Sequence, residues 1–187
     1  METKVQLPAS ISRIVLVGFM GAGKSSVGAL LAPQLRWNFL DADRVLESRL
    51  STTIAEIFAQ RGEEEFRRLE AKLIGELLQE NHQVLALGGG AMESSATRKL
   101  LFDTPETCVI FLKAPLETMI LRCEQQPEAT VRPVLNDPER LLSRFKSRLP
   151  HYESAHMIVE TAPLTAQEAA HVIYTAVRSL LPENISA

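Results

Sequence analysis

The residues with the clearest chemistry lie close to the start of the chain. The apolar residues 14–17 lead into GFMGAGKS, residues 18–25, which fits the pattern G-x-x-x-x-G-K-[ST]. Glycines let backbone N–H groups converge on phosphate oxygens, and a helical pattern over residues 26–35 adds the partial positive charge of a helix N-terminus. Lys24 can reach outer phosphates, and the Ser25 hydroxyl can bind Mg²⁺. Against a glycine-rich turn that only begins a helix, we predict a nucleotide site formed by Gly21, Ala22, Gly23, Lys24, Ser25 and Ser26.

A pair of carboxylates follows the next apolar segment. Asp41 and Asp43 stand in WNFLDAD, residues 37–43, and side chains at i and i+2 project from the same side of an extended chain. Ligands collect beyond the carboxyl ends of the strands in an open parallel sheet, and a phosphate-binding loop needs a carboxylate for its metal ion. We therefore expect both carboxylates in one crevice. A cap for the following helix is the alternative role for one of them.

Three further groups give weaker signals. The glycine triplet at residues 88–90 follows the apolar residues 84–87 and allows a ligand to approach the backbone, but a tight turn explains it equally well. Arg67 and Glu70, at i and i+3 in a helical pattern, have the spacing of an ordinary surface ion pair. A solvated helix face is the simplest interpretation of the basic cluster Arg144, Lys146 and Arg148.

Strand and helix patterns alternate along the chain. Apolar runs with the length of strands occur at residues 14–17, 38–40, 84–87, 108–112 and 157–159. Helical patterns lie between them, the clearest over residues 63–80, and capping-box sequences begin helices at residues 53 and 165. Because parallel strands need crossover connections, we predict an α/β three-layer sandwich with a central five-stranded parallel sheet. The polar segment 123–137 breaks the alternation and is predicted to be a mobile loop.

Length and composition exclude several classes of protein. The 187 residues predict one domain, 1–187, with flexible tails at residues 1–12 and 183–187. With 20 Lys and Arg against 23 Asp and Glu, the net charge is −3, so no general basic field attracts nucleic acid or an anionic membrane. The chain has no apolar run long enough to span a membrane and no targeting signal, which predicts a cytoplasmic protein. Cys108 and Cys123 are expected to be buried or unpaired thiols.

The motifs together closely resemble those of the shikimate kinase family, from about residue 14 to about residue 180. In order they read GFMGAGKSSVG, FLDAD, IAEIFAQRGEEEFRRLE, LALGGGA, VRPVL and SRLPHYESA. The resemblance implies a P-loop NTPase fold of the nucleoside monophosphate kinase type. It also implies a monomer that phosphorylates the 3-hydroxyl of shikimate, with ATP and Mg²⁺, to give shikimate 3-phosphate and ADP.

The resemblance assigns roles on both sides of the reaction. On the nucleotide side, Asp41 would hold Mg²⁺ beside Ser25, and Arg122 would stack on adenine. Arg132 would lie on a lid at residues 123–137 and close over the transferring phosphate, next to Lys24. On the acceptor side, Asp43 would bind the shikimate hydroxyls and is the candidate base. The remaining acceptor residues would be Arg67 and Arg148 for the carboxylate, Glu70 to orient Arg67, and Gly88, Gly89 and Gly90 as backbone donors.

Two other functions stay open on the sequence alone. A kinase for another small polyol acid, such as gluconate, would use the same phosphate site. So would a kinase for a nucleoside monophosphate, which is less favoured because kinases of that kind usually have a glycine after the P-loop lysine, whereas this chain has Ser25 and Ser26. A nucleotide-binding module without catalysis is a third class, but degenerate modules commonly lose residues that this chain keeps, namely Lys24, Asp41, Asp43 and Arg132.

Overall fold

Five parallel strands form the centre of the molecule. A computed structural model describes residues 6–125 and 137–181. The strands are β1 (Arg13–Val17), β2 (Asn38–Asp41), β3 (Gln83–Ala86), β4 (Thr107–Lys113) and β5 (Met157–Glu160), in the spatial order β2-β3-β1-β4-β5. Every strand pair is parallel, and helices cover both faces of the sheet. The predicted fold class, including the five-stranded sheet, is confirmed.

Seven α-helices connect and flank the strands in the described ranges. They are α1 (Lys24–Leu35), α2 (Ala42–Leu50), α3 (Ile54–Leu77), α4 (Ser95–Asp103), α5 (Leu116–Glu124), α6 (Pro138–Tyr152) and α7 (Ala166–Val177). Complete capping boxes begin α3 at Thr53 and α7 at Thr165, as the sequence predicts. No helix in these ranges is long and apolar enough to cross a membrane.

Helix α3 consists of two helical segments joined at Gly62. Gly62 has φ 78° and ψ 172°, a non-helical conformation that strongly favours glycine. The sequence predicted a short helix from residue 53 and a second helix over residues 63–80, so the break is where we expected it. The second segment ends earlier than predicted, at Leu77, because the chain leaves the helix after Leu78 to enter β3.

The core is apolar, and it includes residues 11 and 12, which precede β1. Strands β1 and β3 are buried at every position. Both cysteines are buried as expected, and neither forms a disulfide with a described residue. The prediction of a flexible tail is wrong for Ile11 and Ser12, which are buried, and the Ile11 N–H donates to the carbonyl of Leu180. Cys123 and Glu124, the first residues of the segment predicted to be a loop, are instead helical, in α5. Residues 1–5, 126–136 and 182–187, which include most of the predicted lid, lie outside the described residues.

Candidate active site

The phosphate-binding loop joins β1 to α1. Gly18, Gly21 and Gly23 all have positive φ, which turns the chain sharply between strand and helix. A Cβ atom on Gly21 would lie 2.2 Å from the carbonyl oxygen of Met119, so α5 packs directly against the loop. The Lys24 ammonium group donates to the carbonyls of Gly18 at 2.8 Å and Phe19 at 3.0 Å. The loop is therefore preformed, with its lysine held next to the backbone.

Asp41 has two roles, one for each carboxylate oxygen. Its Oδ1 accepts hydrogen bonds from the backbone N–H groups of Asp43 and Arg44 and so caps α2. Its Oδ2 accepts a hydrogen bond of 2.6 Å from the Ser25 hydroxyl at the start of α1. The alternative interpretation of a helix cap is correct for Asp41, but the cap does not prevent contact with the loop. Ser25 and Asp41 together offer hard oxygen donors of the kind Mg²⁺ prefers.

Asp43 lies in the first turn of α2 and faces the glycine triplet. Burial and the negative charge of Asp41 raise the pKa of Asp43 to about 6, against the opposing charge of Lys24. A carboxylate with a pKa near neutrality can both accept a proton and be ionised at physiological pH. Of the two predicted carboxylates, Asp43 therefore has the properties of a proton acceptor.

Arg67 and Glu70 are not an ordinary surface pair, so that interpretation is wrong. Arg67 Nη1 lies 2.7 Å from Glu70 Oε2, and the Glu70 side chain is only 4% exposed. Burial raises the pKa of Glu70 to about 7, although the adjacent Arg67 cation opposes the shift. The other oxygen, Glu70 Oε1, has no hydrogen-bond partner among the described residues. Both side chains line the cavity described below, next to Phe66, which is buried in the core.

The glycine triplet allows these side chains to approach the backbone. A Cβ atom on Gly88 would lie 2.7 Å from Asp43 Oδ1 and 2.9 Å from Glu70 Oε1. A Cβ atom on Gly90 would lie 2.1 Å from Arg67 Nη2, whereas one on Gly89 would meet no atom closer than 3.6 Å. The triplet is therefore more than a tight turn, since two of its glycines make room for charged side chains.

Arg148 is buried, contrary to a solvated helix face. The residue is 9% exposed, its guanidinium group lies 5.6 Å above the ring of Phe19, and its Nη2 donates to Glu93 at 2.9 Å. Arg144, on the same helix, also lines the cavity. Sequence reasoning missed Glu93, and the only available signal was an acidic residue three positions after the triplet.

These groups surround one cavity of about 500 Å³. The P-loop and Asp41 form one side, and Asp43, Arg67, Glu70 and Arg148 form the other, with the glycine triplet between them. Apolar side chains, including Phe58 and Phe66, complete the wall. The structure thus brings all the predicted acceptor residues together next to the predicted phosphate site.

Arg122 lies at a second cavity, of about 380 Å³, on the other side of the P-loop. Its Nη2 donates to the carbonyl of Thr161 at 2.7 Å, and Gly21, Ala22, Gly23 and Ser26 line the same cavity. Arg122 is therefore separated from the acceptor cavity by the loop itself. Arg132, the remaining predicted site residue, lies outside the described residues.

The fold and the site define a P-loop kinase, an ATP-binding transferase. A family model described as shikimate kinase matches residues 20–178. Shikimate kinase from Thermodesulfovibrio yellowstonii is 37% identical over 87% of this chain and 93% of the relative. Shikimate kinase from Caulobacter vibrioides is 39% identical over 91% of this chain and 84% of the relative. The chain belongs to the shikimate kinase family.

Solved structures agree with this assignment. A shikimate kinase from Acinetobacter baumannii in complex with shikimate has a TM-score of 0.82 at 35% identity, covering 91% of this chain and 95% of that chain. A gluconokinase from Sinorhizobium meliloti has a TM-score of 0.62 at 18% identity, covering 90% of this chain and 93% of that chain. The second likeness shows the fold alone.

Proposed function

We propose that this protein transfers the γ-phosphate of ATP to the 3-hydroxyl of shikimate, giving shikimate 3-phosphate and ADP. The observation that carries the proposal is the single cavity in which a P-loop faces the half-buried Arg67, the buried Arg148 and the carboxylates of Asp43 and Glu70. Shikimate is a small carboxylated polyol, so its carboxylate suits guanidinium groups and its hydroxyls suit carboxylate acceptors. Membership of the shikimate kinase family supports the same reaction.

The nucleotide would bind along the loop formed by Gly21, Ala22, Gly23, Lys24, Ser25 and Ser26. Lys24 would exchange its hydrogen bonds to the carbonyls of Gly18 and Phe19 for contacts with phosphate oxygens. Ser25 and Asp41 would hold Mg²⁺, which when bound supplies positive charge beside the phosphate oxygens. Arg122 would contact the adenine at the second cavity.

The acceptor would bind against the glycine triplet. Arg67 and Arg148 would bind its carboxylate, and Glu70 would hold Arg67 in place through their hydrogen bond. Backbone groups of Gly88, Gly89 and Gly90 would contact the ring substituents. This arrangement lets a protein with a net charge of −3 bind an anion, because the positive charge is concentrated locally.

Asp43 would accept the proton of the attacking hydroxyl. As the acceptor oxygen forms its bond to the γ-phosphorus, the bond to the oxygen of ADP breaks, and the proton passes to the Asp43 carboxylate. The pKa of Asp43, raised to about 6, supports this role because a general base works best when its pKa lies near the working pH. Arg132 would add positive charge at the phosphate from a closing lid that excludes water.

The remaining expectations complete the proposal. We infer a monomeric, cytoplasmic enzyme that acts on small molecules and has no nucleic acid or membrane partner. The net charge of −3 supports the absence of a nucleic acid partner.

A coupled ADP-release assay tests the proposed reaction. The purified protein is mixed with ATP and Mg²⁺ and given shikimate, gluconate or no acceptor. We expect ADP release that depends on shikimate and far exceeds the other two rates. Activity with gluconate alone would refute the acceptor assignment, and ATP binding without acceptor-dependent turnover would favour the non-catalytic module.

A further inference from the structure

Glu93 lies where the two arginines of the acceptor site converge. It is the last residue of a short 3-10 helix, Ala91–Glu93, directly after the glycine triplet. Its Oε2 lies 2.9 Å from Arg148 Nη2 and 3.7 Å from Arg67 Nη2, so one oxygen atom contacts guanidinium groups from two helices, α6 and α3. Among the described residues, Glu93 is the only acidic side chain that forms an ion pair with Arg148.

The position of Glu93 is held independently of these arginines. Arg98, on α4, donates from Nη1 to the carbonyls of Met92 at 2.6 Å and Glu93 at 2.9 Å. The next residue, Ser94, caps the N-terminus of α4 with its side chain. The backbone on both sides of Glu93 is therefore tied to α4, and its carboxylate reaches the arginines from a fixed base.

Glu93 approaches the arginines from outside the cavity. Arg67 and Arg148 line the cavity, whereas Glu93 does not, and the Glu93 side chain is 37% exposed. Glu93 pairs with the Nη2 atoms of both arginines, whereas Arg148 Nη1 lies on the side of the glycine triplet, 3.8 Å from where a Cβ atom on Gly89 would stand. The geometry therefore turns the Nη1 atom of Arg148 toward the triplet while Glu93 holds the Nη2 atom.

We propose that Glu93 is a positioning residue for the acceptor carboxylate, a step that rests on the proposed function. Two guanidinium groups that converge on one anion repel each other until it arrives. A shared carboxylate behind them offsets that repulsion and keeps both side chains in the orientation that binds the acceptor. The motif SRLP contains Arg148, and the ion pair with Glu93 orients the Arg148 guanidinium group.

This role differs from that of an internal competitor. A competing carboxylate would occupy the cavity face of the arginines, and its removal would tighten acceptor binding. Because Glu93 lies outside the cavity wall, its removal instead loosens the arginines and weakens acceptor binding. The sign of the change in KM for shikimate distinguishes the two roles.

The test compares Glu93→Gln and Glu93→Ala with the wild-type enzyme in steady-state kinetics. We expect KM for shikimate to rise about 10-fold in Glu93→Gln, the loss of a partly exposed charge-assisted contact, and at least as much in Glu93→Ala. We expect kcat, KM for ATP and the thermal midpoint to stay close to wild type. Glu65→Gln is the matched control, since Glu65 pairs with the exposed Arg68 on α3.

Three results would overturn the proposal. An unchanged or lower KM for shikimate in both variants would remove the positioning role. A similar loss for ATP and shikimate, or a large fall in thermal midpoint, would make Glu93 a structural residue only. Failure of the proposed function is visible separately, because the wild-type enzyme would then show no shikimate-dependent ADP release.

Discussion

The nucleotide side and the acceptor side of the cavity are built differently. Apart from Asp41, the nucleotide side is one continuous run, residues 18–26, shaped by glycines with positive φ. The acceptor side collects charged side chains from α2, α3 and α6, which are far apart in sequence, around a glycine triplet. A ligand on the first side would meet mainly backbone groups, and a ligand on the second side would meet mainly side chains.

Because of this difference, the two sides of the cavity respond differently to substitution. A backbone cradle depends first on the glycines that shape it. A network of buried charges depends on every member, because removal of one partner leaves the other charge buried and unpaired. Substitutions on the acceptor side should therefore change acceptor binding or chemistry while ATP binding stays normal.

The largest expected effect is on chemistry, through Asp43→Asn. We expect kcat to fall by about 10²–10⁴, the usual contribution of a general base, while the dissociation constant for ATP stays nearly unchanged. Asp43 has a pKa of about 6, so it becomes protonated as the pH falls below that value. In the wild-type enzyme, kcat/KM for shikimate should therefore decline below about pH 6. Near-normal turnover in the variant would exclude Asp43 as the proton acceptor.

Next in size are two substitutions, each of which should raise the KM of a different substrate. Arg67→Ala should raise KM for shikimate by at least about 30-fold, or about 2 kcal/mol, because it removes the acceptor's cation and leaves Glu70 unpaired. Arg122→Ala should raise KM for ATP by about 5-fold, typical of a lost contact with an aromatic ring. Each variant serves as the control for the other in the same kinetic assay. If either one impaired both substrates equally, the two sides would not be separate.

A smaller effect is expected within the triplet itself. Gly90→Ala should raise KM for shikimate about 10-fold, because the new Cβ overpacks the site and displaces the Arg67 guanidinium group. Gly89→Ala is the matched control, since its Cβ would make only ordinary contacts, at 3.6 Å or more. Equal effects of the two substitutions in shikimate kinetics would contradict this account of the triplet.

The last expected effect is on stability rather than on kinetics, and it depends on pH. Folded Glu70 has a pKa of about 7, above its ordinary value of 4.5, so between these values the folded state binds more protons than the unfolded state. The free energy of unfolding therefore falls as pH rises through this window. Glu70→Gln, which does not titrate, should reduce that fall by about 1–3 kcal/mol between pH 5 and pH 8. Urea unfolding at both pH values measures the change, and an unaltered difference would refute the raised pKa.

Much of the fold could be predicted because its signals are local. Hydrophobic periodicity, capping boxes and the P-loop pattern each depend on neighbouring residues, and they correctly predicted the sheet, the break near Gly62 and the loop. The half-buried position of Arg67 in the cavity wall and the burial of Arg148 could not be predicted in this way. A charged residue on a helix has the same sequence pattern whether its helix face meets solvent or a cavity, and only the tertiary packing of α3 and α6 distinguishes them.

Glu93 shows the same limit more sharply. No spacing rule connects it with Arg148, because the contact arises only when the chain after β3 meets a helix from much later in the sequence. The resemblance to a family supplied roles for Arg67 and Arg148, but the motifs that carried it do not include Glu93. Its contacts could be found only in the structure.

The two oxygens of Asp41 have different partners, and this affects what happens to α2 when a ligand binds. The oxygen that caps α2 differs from the one that faces Ser25, so a ligand that engages the latter leaves the cap in place. The first turn of α2, which carries Asp43, therefore needs no refolding when the site fills, and little ordering entropy is lost. The amide hydrogens of Asp43 and Arg44 should consequently exchange with solvent at similar slow rates in the empty and the occupied protein.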